Sequence, residues 1–344
     1  MITLPCGCPS RRTFFRSLAA LGAASALPGC GPQLQSANAG RPHRIDVHHH
    51  LTPPPYLSAL KMKKLGEPPT FGWTVERSLA DMDSAGVATS ILSITTPGVY
   101  IGDNAESRQI ARACNEYAAK LTGDHPGRFG SFAAVPLPDV DGSLREIEYA
   151  LDTLKADGVC LMTSAGNNQW LGDAAFAPVM QELNRRRAVV YTHPTIANCC
   201  RNLIAEVPGS AIEFATDTTR TIASILFTGT AVRFPDIRWI FSHAGGTMPF
   251  ITERFTRLPN ANPKAAANVP NGVLPELRKF HYDIAQAAHP MALSALLKLI
   301  PVSQVMYGTD YPFRTSIDHV KGLLEHGFSA ADLAAIDRDR KSVV

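Results

Sequence analysis

The chain has 344 residues, 45% hydrophobic and 18% charged, with 25 Gly and 26 Pro. This is ordinary globular composition, ample for a large core, and no low-complexity tract interrupts it. The net charge is +3, but Arg11, Arg12 and Arg16 fall in an N-terminal stretch with no Asp or Glu; setting it aside leaves the 30 acidic residues matched by equal basic ones, which removes the electrostatic case for nucleic acid or anionic membrane as a partner.

Residues 1–39 read as a targeting segment. Ser10-Arg11-Arg12-Thr13-Phe14-Phe15 precedes an Ala/Leu-rich run from Leu18 to Leu27. A bilayer span needs about 20 apolar residues, so this run is too short to cross one. Basic residues, a short apolar region and then small residues make a signal peptide. The paired arginines resemble a twin-arginine signal, which carries folded proteins out of the cytoplasm. Ala37-Asn38-Ala39 is an A-x-A cleavage site; Leu27-Pro28-Gly29-Cys30 reads as a competing lipoprotein box, with Pro28 an unusual occupant. The expected location is therefore the periplasm, either free or anchored through Cys30.

After residue 40, strand-like and helix-like runs alternate. Ile45–His50 is the first strand, ending in three histidines. Side chains alternate along a strand, so His48 and His50 share a face and His49 takes the other. Residues 51–74 are Pro- and Lys-rich and read as a long loop or lid, with Phe71 and Trp73 as pocket walls. Val75, Leu79 and Met82 mark a helical face, followed by a second strand over Ala88–Ile94. Further strands are expected at Phe129–Val135, Gly158–Thr163, Val189–Pro194, Ile237–His243, His281–Ile284 (a weak one) and Gln304–Gly308. Helical stripes separate them, and residues 259–275 read as loop. Eight strand–helix units over some 300 residues fit a (β/α)8 barrel, and no G-x-G-x-x-G follows the first strand to suggest a dinucleotide fold.

Seven cysteines are present, three of them in the N-terminal segment. Adjacent Cys199 and Cys200 have Cα atoms about 3.8 Å apart, under the usual disulfide range of about 4.4–6.8 Å. They read, with Cys114 and Cys160, as packing thiols.

In such a barrel, chemistry sits at the C-terminal ends of the strands. Strand one ends in His48 and His50, strand five in His193 and strand six in His243; Asp310 follows strand eight. Each has a packing reading taken singly, but together they place imidazoles and a carboxylate around one point. That set suits zinc or a similar divalent ion with an open position for water or substrate. Strand four ends Leu161-Met162-Thr163-Ser164 with no lysine to carry a bridging carboxylate, which argues for a single ion.

Four spaced motifs carry a resemblance: Asp46-Val47-His48-His49-His50, Tyr191-Thr192-His193-Pro194, Ser242-His243-Ala244-Gly245-Gly246 and Tyr307-Gly308-Thr309-Asp310-Tyr311-Pro312. From about residue 43 to 336 the chain resembles the amidohydrolase-related family. The branch is similar to aminocarboxymuconate-semialdehyde decarboxylase, and within it to the 6-methylsalicylate decarboxylase-like members. The resemblance implies a metal-dependent-hydrolase-type barrel with one divalent metal, zinc by expectation and manganese as the alternative. It implies His48, His50, His193 and Asp310 as ligands and His243 as acid/base beside the metal. Arg254 matches an arginine that reaches into the partner's site in dimeric relatives to hold a substrate carboxylate, so a homodimer is expected. An arginine that some relatives carry after strand one has no clear match; Lys61, Lys63 or Lys64 stand nearest. Two departures stand out: Arg187 where relatives tend to have a turn glycine, and a tail from Ile336 to Val344 without the usual closing aromatic-Pro pair.

The expected reaction is non-oxidative decarboxylation of a small aromatic or enol-type acid such as a hydroxybenzoate, with His243 or Asp310 delivering the proton and Trp73 and Trp170 supplying apolar walls. Hydrolysis of a lactone, ester or amide by the same centre is the alternative, and a non-catalytic binding protein is the third reading.

Overall fold

The structure is a computed structural model and describes residues 43–338. The signal segment, its cleavage and lipidation motifs and the last six residues lie outside the described residues. Eight parallel strands follow in sequence order around one sheet: β1 (Arg44–His50), β2 (Val87–Ser93), β3 (Phe129–Ala134), β4 (Gly158–Met162), β5 (Val189–His193), β6 (Arg238–Phe241), β7 (His281–Asp283) and β8 (Val305–Met306). β8 returns to β1 through backbone bonds: Val47 N to Tyr307 O (3.0 Å), Asp310 N to His48 O (2.8 Å) and His50 N to Tyr311 O (2.8 Å). The expected (β/α)8 barrel is therefore the observed one.

Two apolar layers hold it. Val47, Ile91, Phe132, Cys160, Tyr191, Ile240 and Met306 fill the barrel interior, one or more from nearly every strand, as a barrel of this size requires. A larger cluster packs the helices against the outside of the sheet.

β1 departs from strict alternation in a way that matters. Its register against β2 slips between Asp46 and His49, where the partners are Ser90 and Leu92. Two residues of β1, Val47 and His48, there face one of β2, Ile91, a bulge of the kind found beside active sites. Val47 joins the barrel interior, and His48, the next residue, also points inward. Asp46 and His49 consequently share the outer side, where His49 Nδ1 lies 3.1 Å from Asp46 Oδ2.

The segment after β1 is not a bare loop. Pro53 caps a helix over Pro54–Lys63 that buries Tyr56, Ala59 and Leu60, and a short helix follows at Pro68–Phe71. The proline run that reads as part of a loop occupies the start of this helix, where no backbone N–H is needed. Residues 259–275 are also largely helical: the helix Met248–Ala261 runs through Pro259, and Asn262 caps Pro263–Asn268 by accepting from Ala265 N.

Arg187 keeps the left-handed turn that glycine makes easily, with φ 52°. Its N–H donates to Asn184 O (3.0 Å) and its carbonyl accepts from the Arg238 guanidinium (2.9 Å). These bonds hold a conformation that costs a side-chain-bearing residue roughly 1 kcal/mol. The last helix, Ala330–Arg338, docks despite the divergent tail. Ile336 is fully buried, and Asp337 meets Arg44 Nε at 3.1 Å and His43 Nε2 at 3.3 Å at the start of β1.

The adjacent cysteines correct the sequence reading. Cys199 and Cys200 are joined as a disulfide across a Cα separation of 3.8 Å, on an exposed turn rather than in the core. The spacing rule describes bridges between separate segments, and an adjacent pair lies outside it. Cys114 and Cys160 are free and buried, as packing thiols. No described helix is long and apolar enough to cross a membrane.

Candidate metal centre

The strand ends bring His48, His50, His193 and Asp310 together, with one ligating atom from each lying within 4.8 Å of all the others. All four are buried. His50 Nε2 is 2.9 Å from Asp310 Oδ1, His48 Nε2 is 3.2 Å from the same oxygen, and the two Nε2 atoms are 3.1 Å apart.

The hydrogen bonds on the far side of each ring decide what these atoms offer. His50 Nδ1 faces the Ser93 carbonyl at 3.2 Å and His193 Nδ1 the Pro194 carbonyl at 2.9 Å. A carbonyl only accepts, so both Nδ1 atoms carry hydrogen and both Nε2 atoms present lone pairs. His48 Nδ1 is 2.9 Å from Asp283 Oδ2. Asp283 Oδ1 already accepts from His243 N (2.9 Å) and Ala285 N (3.0 Å). With Oδ1 so occupied, Oδ2 is the acceptor that faces His48, and His48 Nδ1 donates to it. Carboxylate or carbonyl behind imidazole is the arrangement that orients metal-ligating histidines. His193 Nε2 is buried with no hydrogen-bond partner, an orphan that a metal bond would satisfy. Three imidazole lone pairs and a carboxylate aimed at one point require a cation there, and this donor set fits a single divalent ion.

In the metal-free chain the required charge is a proton. Burial alone would lower the pKa of His48, but the Asp283 and Asp310 carboxylates outweigh it and push it up to about 10. Burial lowers His50, aided by the charge on His48, and burial with both neighbours carries His193 well below the usual histidine range. Asp310 is desolvated, yet the charge of the protonated His48 beside it holds it well below the ordinary carboxylate range. An incoming ion must displace the His48 proton. Metal uptake near neutral pH is therefore expected to release about one proton per ion, with affinity falling roughly tenfold per pH unit of acidification. Calorimetry in buffers of differing ionisation enthalpy measures this; uptake without proton release would contradict it.

His243 lies beside the cluster, its ring stacked on His48 with centroids 5.0 Å apart. Its Nε2 is 3.5 Å from Asp310 Oδ2 and 9% of the residue is exposed. The turn that presents it is unusual: His243, Ala244, Gly245 and Gly246 all have positive φ, as does Asp310. Left-handed residues other than glycine concentrate at functional sites. Gly246 has a separate reason, because a Cβ there would sit 2.0 Å from the Ala215 carbonyl oxygen.

A cavity of about 480 Å³ opens over the cluster, a size typical of small-molecule sites. His193, His243 and Asp310 form its floor; Phe214 and Phe313 are its aromatic walls, and Glu67, Gln286 and His289 also line it. The two tryptophans expected there lie elsewhere. Trp73 is 8% exposed and donates from Nε1 to Ser78 Oγ (3.0 Å), facing the core. Trp170 donates to Asp217 Oδ1 (2.8 Å), pinning a short hairpin of Ser164–Ala165 and Gln169–Trp170 to the helix Gly209–Phe227. Indole N–H groups seek acceptors, and in both cases that bond turns the ring away from the cavity. Arg254 is exposed on the helix Met248–Ala261 and lines no part of this cavity. Of the lysines after β1, Lys63 pairs with Glu106 (2.9 Å) and Lys64 lines an adjoining groove.

Sequence reasoning missed Asp283, Asp46 and Gln286. Asp283 ends β7, so the strand-end rule that found the histidines would have found it had His281–Ile284 looked like a stronger strand. Asp46 accepts from His48 N (3.0 Å), Thr309 N (3.1 Å) and Thr309 Oγ1 (2.7 Å), tying the first ligand strand to the residue before Asp310. Gln286 Nε2 donates to Asp310 Oδ2 at 2.8 Å.

Comparison with known proteins agrees with this geometry. A family model described as amidohydrolase matches residues 45–339. The Aspergillus niger protein named Decarboxylase yanB is 39% identical over 286 residues, 78% of this chain and 77% of its own length. The 6-methylsalicylic acid decarboxylase of Penicillium expansum is 36% identical over 275 residues, 78% of this chain and 85% of its own. A crystal structure of an amidohydrolase II superposes with a TM-score of 0.80 at 28% identity, covering 87% of this chain and 98% of that one. Match, fold and cluster together place the chain in the amidohydrolase family.

Proposed function

We propose that the protein is a metal-dependent carboxy-lyase that removes carbon dioxide from a small hydroxybenzoate-type acid. The observation that carries this reading is the single-cation cluster at the floor of an aromatic-walled cavity, in a chain whose relatives are named decarboxylases. His48, His50, His193 and Asp310 would hold the ion, zinc because imidazole supplies three of the four ligands, with manganese, which the harder carboxylate also suits, as the alternative. When bound, the ion supplies positive charge for the substrate carboxylate and its neighbouring phenolic oxygen.

The chain's own groups do the rest. Phe214 and Phe313, which line the cavity, would supply apolar surface to the ring and help to exclude water. The carbon bearing the carboxylate must gain a proton before it loses carbon dioxide. Asp310 Oδ2 and His243 Nε2, 3.5 Å apart at the cavity floor, form the pair that stores and delivers it. Cleavage of the carbon–carbon bond returns its electron pair to the ring, so one proton is consumed and one carbon dioxide released. A panel of metal-loaded reactions tests this: hydroxybenzoates should yield carbon dioxide, whereas ring opening of lactones without it would favour a hydrolase.

Arg254 is proposed to act across a homodimer, its exposed position leaving it available to a neighbouring site. Mixing inactive Arg254→Ala and His243→Ala proteins should then restore up to about a quarter of wild-type activity, as statistical subunit exchange predicts. No recovery in verified mixed dimers would reject the role. Residues 1–39 are proposed to direct export to the periplasm, which cell fractionation of the full chain would test.

A further inference from the structure

Asp217 is fully buried on the helix Gly209–Phe227 and lines no part of the cavity over the cluster. Its Oδ1 accepts from Trp170 Nε1 (2.8 Å), and its Oδ2 from Ser164 Oγ (2.9 Å) and Thr163 Oγ1 (2.6 Å). Arg220 Nη1 lies 3.6 Å from Oδ1. Hydroxyl, indole and guanidinium donors around one interior carboxyl group stitch the hairpin after β4 to the helix. The bond to Thr163 reaches further than that.

Thr163 follows the last residue of β4 and is also fully buried. Its hydroxyl donates to Asp217 and accepts from Thr195 N (3.1 Å), and its own N–H donates to the His193 carbonyl (2.9 Å). The Thr195 N–H and the Pro194 carbonyl are the two ends of one peptide unit. That unit is not among the cis bonds, so its N–H and carbonyl point in opposite directions. The Pro194 carbonyl is the acceptor for His193 Nδ1 (2.9 Å). Holding the N–H of this unit against Thr163 therefore aims its carbonyl at the imidazole. The path runs from Asp217 Oδ2 through the Thr163 hydroxyl and the peptide unit to His193 Nδ1. It ends at His193 Nε2, the buried atom without a partner. Bonds in such a chain polarise one another. His48 has a carboxyl group directly behind its ring, that of Asp283; His193 has one at two removes.

We infer that Thr163 and Asp217 are positioning residues for the metal centre, which fix the Pro194–Thr195 peptide plane and, through it, the tautomer and direction of His193. For metal binding this role rests on His193 being a ligand of the single ion; for the tautomer it does not. Without the Thr163 hydroxyl the peptide plane loses its anchor and the Pro194 carbonyl can turn from Nδ1. The ring hydrogen is then free to occupy Nε2, where it blocks the metal position.

Zinc titration of the full-length protein against a chromophoric chelator tests this. Thr163→Val keeps the shape of the side chain and removes the hydroxyl; it should weaken zinc binding by at least about tenfold. Thr163→Ser keeps the hydroxyl and should restore affinity to within about twofold of the wild type. Ser164→Ala removes a bond to the same Asp217 oxygen without touching the peptide unit, and should also stay within about twofold. A network that only held the fold together would respond to both losses alike. Asp217→Asn leaves one acceptor oxygen for the indole and the hydroxyl, and should weaken zinc by an intermediate amount. Circular dichroism checks that each variant folds. Wild-type affinity in Thr163→Val or Asp217→Asn, or equal losses in Thr163→Val and Ser164→Ala, overturns the proposal. Heteronuclear NMR of histidine-labelled protein before zinc is added, with His193 assigned through His193→Gln, gives a second readout. Hydrogen should sit on Nδ1 in the wild type and Ser164→Ala, and partly on Nε2 in Thr163→Val. If the wild type takes up no zinc, the single-ion reading fails, and these spectra still decide whether Thr163 sets the His193 tautomer.

Discussion

Asp310→Ala is expected to abolish decarboxylation, lowering kcat/KM by at least about a thousandfold, and to strip the protein of metal at micromolar concentrations. Asp310 combines two duties. Its Oδ1 faces His48 and His50 as the only carboxylate oxygen in the cluster, so its loss removes one ligand in four and all of the negative charge. Its Oδ2 faces His243 and accepts from Gln286, so its loss also removes the proton-transfer pair. Because Asp310 has φ 61°, alanine there carries backbone strain that asparagine tolerates better. Asp310→Asn therefore serves as the companion variant. It should melt close to the wild type and still be inactive. Full activity or stoichiometric metal in either variant would remove Asp310 from the centre.

Asp283→Asn is expected to keep the fold while lowering metal affinity by about 10–100-fold. The asparagine carbonyl oxygen can still accept from His243 N and Ala285 N, the two bonds Asp283 Oδ1 now makes. The amide nitrogen then faces His48 Nδ1, 2.9 Å away in the wild type. An amide N–H opposite Nδ1 needs a lone pair there, which moves the ring hydrogen to Nε2 and points it at the metal position. The same change removes a carboxylate that raises the His48 pKa, so the variant should also release less than one proton on metal uptake. Asp283→Ala removes the acceptor as well and leaves two buried N–H groups unpaired, at a cost of about 1–3 kcal/mol each. Its thermal midpoint should fall well below that of Asp283→Asn. Wild-type metal affinity in the asparagine variant would show that the tautomer of His48 is set by something other than Asp283.

The parts of this protein legible in its sequence were those governed by short-range periodicity. β/α alternation announces the barrel, and period-two alternation puts His48 and His50 on one side and His49 on the other. His49 in fact faces outward, between Asp46 and Ser78 (2.9 Å), with Tyr311 stacked on it at 4.7 Å. The bulge at Val47–His48 was not legible, because it depends on register against β2 rather than on β1 alone. Proline misled twice: the run at 53–55 starts a helix and Pro259 sits inside one. Trp73 and Trp170 were misplaced because an aromatic in a barrel loop carries no sign of which way it faces until its N–H partner is known. Asp283 was missed because a three-residue strand lacks a periodic signal of its own. The tail expected to diverge begins at Ile336, yet Ile336 is buried and Asp337 pairs with Arg44 at the start of β1.

The central claim is that this centre replaces a carboxylate by a proton on an aromatic ring. Turnover of a hydroxybenzoate in deuterium oxide by the metal-loaded protein tests it directly, with mass spectrometry on the phenolic product and trapping of the gas. The account predicts one carbon dioxide and one deuterium, at the carbon that bore the carboxylate, for each substrate consumed, and loss of both after chelation. Substrate consumption without carbon dioxide, or turnover undiminished in metal-stripped protein, would contradict it.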